Sequence, residues 1–134
     1  MYLINYRGII MLETSVVKAA YKTGVYVGEP MQEKGDKTLI KIAAVLKHPK
    51  QGDLHHPKQV DVPLFHERKA LAEFEKVWVP SANVKTYDDE IPDYRESLIT
   101  AYNELKQELV EKEDDYSQKS LETLKNLEHD YNLN

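Results

Sequence analysis

A chain of 134 residues has room for one compact domain built around one modest core. It contains no cysteine, which excludes disulfide bonds, thiolate zinc sites, a cysteine nucleophile and a lipid-carrying cysteine. The net charge of −5 is uneven: residues 1–87 hold 13 Lys/Arg and 9 Asp/Glu, whereas residues 88–134 hold 5 and 14. This asymmetry predicts two differently built segments and a tail that repels polyanions.

Residues 1–12 are predicted to be an N-terminal extension outside the fold, and an extra edge strand is the alternative. Met11 opens the first well-patterned segment, so translation could start at Met1 or at Met11. Asn5, Arg7 and Gly8 interrupt the apolar leader, which leaves no run long enough for a signal peptide. No later stretch approaches about 18 apolar residues. We therefore expect a cytoplasmic protein with no direct membrane insertion.

Residues 13–87 alternate in short β-rich runs separated by turn residues, a pattern typical of a small antiparallel barrel. The pattern predicts strands over residues 16–21, 25–31, 38–47, 58–64 and 70–79. Gly28 indicates a bulge or a point where another backbone passes closely. An apolar strand, Pro80 and a short spacer to Val84 end the segment, as in SH3-like barrels with a helical turn between their last strands. We predict a five-stranded SH3-like β-barrel.

Residues 88–134 are predicted to form an acidic two-helix hairpin, which makes the fold α+β. Pro92 is placed as the first residue of a helix, and Asp115 with Gln118 resembles a capping box for a second one. Each helix has one apolar stripe. The stripes are Ile91, Tyr94, Leu98, Tyr102, Leu105 and Leu109, and then Leu121, Leu124, Leu127 and Tyr131. The hairpin either packs on the barrel or leaves a stripe for a partner helix.

Four of the five histidines lie within residues 48–66, and this density raises the question of a metal site. These histidines are His48, His55, His56 and His66. Their spacing matches no compact zinc signature, and a site without cysteine would need several converging His and Asp/Glu ligands. Residues 48–57, which contain His48, Gln51, Asp53, His55 and His56, are also consistent with a structured hairpin loop or a polar recognition surface.

His66, Glu67 and Arg68 place a base, an acid and an anion-binding group side by side at a predicted turn. Adjacent side chains in a strand point to opposite faces, so closeness in sequence does not imply a shared site. The sequence has no Ser-His-Asp ordering, no paired carboxylate motif and no Gly-rich phosphate loop. We therefore predict no enzyme, no catalytic residues, no cofactor and no bound metal.

Several sequence blocks resemble the kinase-associated protein B family of spore-forming bacilli, also called kinase-associated lipoprotein B. They are YKTG at 21–24, YVGE at 26–29, AVLKHP at 44–49, QGDLH at 51–55, FHER at 65–68, EIPDY at 90–94 and SLETL at 120–124. The resemblance implies an SH3-like barrel with C-terminal helices. It also implies a non-enzymatic accessory role with a sensor histidine kinase that feeds the sporulation phosphorelay. Because the sequence has no cysteine, we expect the chain to be near the membrane only through its kinase partner.

The leading hypothesis is a protein–protein interaction module in signal transduction. Its candidate partner-binding residues are His48, Gln51, Asp53, His55, His66, Glu67 and Arg68. Nucleic-acid binding by a small barrel is the alternative, but the basic residues are scattered and the tail is acidic, so we expect no nucleic-acid partner. A metal-responsive sensor is a third class. The sequence is compatible with a homodimer and does not fix the oligomeric state.

Overall fold

The structure, a computed structural model, describes residues 3–6, 9–12, 16–52, 59–60 and 65–133, the first two ranges by backbone alone. These residues form seven β-strands, one 3-10 turn and two α-helices. The strands are β1 (Leu3–Tyr6), β2 (Ile9–Leu12), β3 (Val17–Tyr21), β4 (Gly24–Lys34), β5 (Lys37–Lys47), β6 (Lys76–Pro80) and β7 (Val84–Thr86). The 3-10 turn is Ser81–Asn83, and the helices are α1 (Tyr94–Lys112) and α2 (Asp115–Tyr131).

The main sheet has five antiparallel strands in the order β6-β5-β4-β3-β7. With the two C-terminal helices it forms an α+β fold, as predicted. The 3-10 turn between β6 and β7 is also confirmed. In this order β6 and β7 are the edge strands, so closure into an SH3-like barrel stays a prediction. β1 and β2 form a separate antiparallel pair rather than an added edge of the main sheet.

Gly28 in β4 is a point of close approach, as its position in the sequence indicated. The β4–β5 register shifts between Val27 and Gly28. A Cβ atom on Gly28 would lie 2.5 Å from the Ile40 side chain and 2.6 Å from the Lys41 carbonyl oxygen. Only glycine lets the two backbones pack this closely. The long strands β4 and β5 are thereby held together at their middle.

Two of the five predicted strands are wrong in part. Gln59 and Val60 are not in a strand and are exposed, while residues 58 and 61–64 lie outside the described residues. Residues 70–75 are irregular, and Phe74 takes a left-handed conformation, φ 69°, in a turn. In that turn the amide of Glu75 donates to the Ala72 carbonyl. The fifth strand of the sheet is instead β7, which pairs with β3.

Helix α1 begins later than the sequence predicted and α2 begins one residue earlier, and each has an aspartate cap. Asp93, not Pro92, flanks α1, and its carboxylate accepts from the amide of Glu96 at 3.1 Å. Glu113 is left-handed, φ 54°, and ends α1. Asp114, rather than Asp115, is therefore the extended residue that accepts from Ser117 N at 2.7 Å.

One apolar cluster joins the sheet to both helices. It contains Ala19, Tyr26, Ile40, Ile42, Val45, Ala70, Val79, Leu98, Ala101, Tyr102, Leu105, Leu109, Leu124, Leu127 and Tyr131. Ile91 is exposed because it precedes α1, so its assignment to the stripe is wrong. The Ser97 hydroxyl of α1 also accepts from the Val45 amide at 2.9 Å. The two helices therefore pack on the sheet and complete its core.

Candidate functional site

His48 directly follows β5 and is buried, with 4% of its surface exposed. Its Nδ1 lies 2.9 Å from the Pro49 carbonyl oxygen, and its Nε2 lies 2.9 Å from the Tyr131 hydroxyl. A carbonyl can only accept, so Nδ1 carries the proton and Tyr131 donates to Nε2. The Tyr131 oxygen in turn accepts from Ala70 N at 2.8 Å. Burial lowers the pKa of His48, although the Pro49 carbonyl opposes the shift, and the neutral ring is favoured.

Gln51 is equally buried and uses both ends of its amide. Its nitrogen donates to the carbonyl oxygens of Pro49 at 3.0 Å and Arg68 at 2.9 Å. Its oxygen accepts from Arg68 N at 2.8 Å and from the Thr123 hydroxyl at 3.0 Å. The Gln51 side chain therefore joins the segment after β5 to the segment around Arg68 and to helix α2. Neither segment belongs to a sheet, so no strand ladder supplies hydrogen-bond partners for its backbone.

The segment containing His66, Glu67 and Arg68 runs beside Gly52. Gly52 N donates to the His66 carbonyl at 2.9 Å, and the Arg68 side chain donates through Nε to the Gly52 carbonyl at 2.9 Å. Gly52 has φ +103°, a conformation that favours glycine. His66 and Arg68 are half-buried, and Glu67 is exposed.

The structure brings together five of the seven residues that the sequence singled out, namely His48, Gln51, His66, Glu67 and Arg68. Asp53 and His55 lie outside the described residues. His48 and Gln51 bond within the chain, which agrees with the structured-loop interpretation for residues 48–52. No group of three or more His, Asp or Glu with the geometry of a metal site occurs among the residues that the structure describes. Partner binding by these seven residues stays a prediction.

A cleft of about 320 Å³ lies beside this segment and includes residues that the sequence did not single out as site residues. Its lining is Tyr21, Lys22, Tyr26, Pro49, Glu67, Arg68, Lys69, Leu71 and Glu75. Lys22 comes from the β3–β4 turn, and Lys69 comes from a distant segment. Only folding brings the two together, so no local sequence signal could have paired them. We call this surface the basic cleft.

Aromatic side chains position the lysines of the basic cleft. Lys22 Nζ lies 5.3 Å from the centre of the Tyr21 ring, and Lys69 Nζ lies 5.8 Å from that of Tyr131. The cleft also includes Tyr26, whose pKa burial raises to about 12, so its hydroxyl stays protonated at neutral pH. The cleft therefore combines cations with a neutral hydroxyl, groups that can bind an anion.

A family model described as "Kinase associated protein B" matches residues 21–132. This chain belongs to the kinase-associated protein B family. The family is named for its association with a kinase, which is an accessory rather than a catalytic designation. No helix in the described part of the chain is long and apolar enough to cross a membrane.

Two members of the kinase-associated protein B family are similar over most of their length. Kinase-associated lipoprotein B from Bacillus subtilis (strain 168) is 51% identical over 117 residues, which cover 87% of this chain and 91% of the relative. The crystal structure of kinase-associated protein B from Bacillus cereus has a TM-score of 0.75 and 36% sequence identity. That match covers 89% of this chain and 95% of the other. The predicted resemblance is thus confirmed.

Proposed function

We propose that this chain is a non-enzymatic accessory protein that binds the cytoplasmic region of a sensor histidine kinase and modulates a sporulation phosphorelay. The observation that carries the proposal is the 51% identity to kinase-associated lipoprotein B over 91% of that relative. Similarity over so much of both chains supports a shared role. The proposed place of action is the cytoplasm, close to the membrane through the kinase.

The architecture supports a binding role because it offers a rigid scaffold. The side chains of His48 and Gln51 are used inside the chain, so they hold the segments that carry the exposed residues. We propose that Glu67, Arg68 and His66 contact the partner directly and that His48 and Gln51 position them. Asp53 and His55 belong to the same proposed surface.

We also infer that the main sheet closes as an SH3-like barrel. Two features support this inference. The short connection of β6 to β7 is a 3-10 turn, and the β4–β5 ladder has three register shifts, which bend a sheet. Such a barrel would present its connecting loops as a binding surface.

The test is direct binding between the purified full chain and the cytoplasmic region of a sporulation sensor histidine kinase, measured by calorimetry. We expect saturable binding, and we expect Arg68→Gln to weaken it by about tenfold or more through loss of a charge-assisted contact. Lys76→Gln, on the exposed side of β6, is the matched control and should bind as the parent chain does. The proposal fails if the parent chain does not bind and if deleting its gene leaves kinase signalling unchanged.

A further inference from the structure

We propose that the basic cleft is a docking site for a short acidic segment of a protein partner, with an apolar residue as its anchor. The inference rests on the proposed function, because it specifies the partner chemistry at the same surface. Three cations from two separate segments converge on the cleft: Lys22 from the β3–β4 turn, and Arg68 and Lys69 from the segment after Gly52. Among the residues that the structure describes, none of the three forms an ion pair with a carboxylate.

The described contacts of each cation are with neutral groups. Lys22 packs on Tyr21, Lys69 packs on Tyr131, and Arg68 donates one of its five N–H groups to the Gly52 carbonyl. A cation fixed by a carboxylate would already be neutralised. Lys22 and Lys69 are exposed, and none of the three cations is paired with a carboxylate among the described residues, so their charge is accessible to an anion.

The turn that carries Lys22 has an unusual backbone. Lys22 and Thr23 have φ values of 46° and 70°, and neither is glycine. They are the two central residues of the hairpin turn between Tyr21 and Gly24. A two-residue hairpin loop of this type requires φ > 0 at both positions, which costs free energy when neither is glycine. The Thr23 hydroxyl accepts from Lys50 N at 2.9 Å, which ties the turn to the loop after β5. The turn therefore holds Lys22 at the cleft despite its strain.

The shape and lining of the cleft favour a short segment over a folded surface. Its volume of about 320 Å³ is at the small end of ligand sites and fits one or two side chains. Pro49 and Leu71 add apolar surface among the cations, which suits an aliphatic or aromatic anchor between Asp or Glu residues. Two carboxylates, Glu67 and Glu75, also line the cleft, so the three cations outnumber the carboxylates by one. The Glu75 carboxylate accepts from Ala72 N at 2.9 Å.

Carboxylates near the cleft argue against a long polyanion. Beyond the Thr23–Lys50 hydrogen bond, a second cleft places Lys47 and Lys50 with Glu104 and Glu108 of α1. A nucleic-acid strand or an anionic membrane that covered both clefts would meet these glutamates at close range. A segment of a few residues can contact the cations alone. The structure thus favours a peptide over RNA, DNA or lipid.

The experiment uses the full chain and a fluorescent eight-residue peptide with one central leucine flanked by glutamates, followed by anisotropy. We expect binding that weakens as salt is added and that weakens at least tenfold in Lys22→Glu/Lys69→Glu. The same peptide with glutamine for glutamate should not bind. Lys76→Glu/Lys85→Glu changes the net charge equally on β6 and β7 and should bind as the parent chain does. Lys22→Met/Lys69→Met removes the same two charges without reversing them, and it should also weaken binding of the peptide. Circular dichroism confirms that each variant is folded.

The outcomes separate this inference from the proposed function. No peptide binding by the parent chain, or equal loss in both charge-reversal variants, overturns the inference. Displacement of the peptide by single-stranded RNA or by anionic phosphatidylserine vesicles, at lower concentrations than unlabelled peptide, also overturns it. If the kinase region binds the parent chain and Lys22→Glu/Lys69→Glu equally, the inference fails and the proposed function stands. If the peptide binds at the cleft but the kinase region does not bind, the proposed function fails and the inference stands.

Discussion

His48 shows how one buried imidazole links the stability of the fold to pH. Burial lowers its folded-state pKa below 6.5, so the unfolded chain takes up the proton first as the pH falls. The free energy of unfolding should therefore decrease as the pH falls from 6.5 towards the folded-state pKa, by no more than about 1.4 kcal/mol per pH unit. Urea unfolding at about pH 7.5 and about pH 5.5 measures this loss.

His48→Gln should be less stable than the parent chain near neutral pH, since it disturbs the bond to Tyr131, and should depend less on pH. His129→Gln is the matched control, because His129 is exposed in the last turn of α2, and near neutral pH it should be about as stable as the parent chain. An unchanged pH dependence in His48→Gln would contradict the assignment.

The residue types at the site could be predicted from the sequence, but their partners could not. The loop's proline and glycine residues indicated a structured turn, and the described residues 48–52 agree with that interpretation. The partners of Gln51, however, are Arg68 and Thr123, and the partner of His48 is Tyr131. A polar side chain in a loop has the same local pattern whether it faces solvent or fills a buried gap. Only the position of α2 determines whether these side chains are exposed or buried.

The two helices were the most predictable elements, because their apolar stripes repeat at a fixed spacing and packing of the stripes determines their orientation. Their first residues were less predictable, since several acidic residues compete for each cap. Residues 70–75 show the opposite case. The pattern of Leu71, Val77 and Val79 on one side resembled a strand, but the amide of Leu71 donates to the Tyr26 hydroxyl at 3.3 Å instead of joining a ladder. Side-chain acceptors replace strand partners over residues 70–72, whereas Phe74 N still donates to the Ile42 carbonyl of β5. The sequence carries no signal for the side-chain acceptors.

The start of α2 gives a test in which neighbouring aspartates should differ. Asp114 caps the helix through Ser117 N, whereas Asp115 is the first helical residue and lies at the positive end of the helix dipole. Asp114→Ala should lower the free energy of unfolding by about 1 kcal/mol. Asp115→Ala should lower it by less, about 0.3–1 kcal/mol at low salt. Urea denaturation of both variants measures the difference, and a larger loss in Asp115→Ala would place the cap where the sequence suggested.

At the scale of the whole molecule, the charge distribution separates the chain into two segments, but the apolar core joins them. The charge changes sign near residue 88, which suggests a basic segment and an acidic segment. The apolar cluster extends across residue 88, because it contains Ile40 and Val79 of the sheet together with Leu98 and Leu124 of the helices. Uneven charge is a surface property and controls which partners approach. The shared core controls folding, so the sheet and the helices should unfold together.

The single tryptophan makes this cooperativity measurable. Trp78 lies in β6, so its fluorescence reports on the sheet, while circular dichroism at about 222 nm reports mainly on α1 and α2. The two urea transitions should coincide.

Leu124→Ala, at a side chain only 1% exposed in α2, should shift both midpoints equally and lower the free energy of unfolding by about 2–5 kcal/mol. Val110→Ala, at a half-exposed position on α1, is the control and should shift neither appreciably. If Leu124→Ala moved the helical signal and left the Trp78 transition in place, the sheet would be stable without the helices and the single-core description would be wrong.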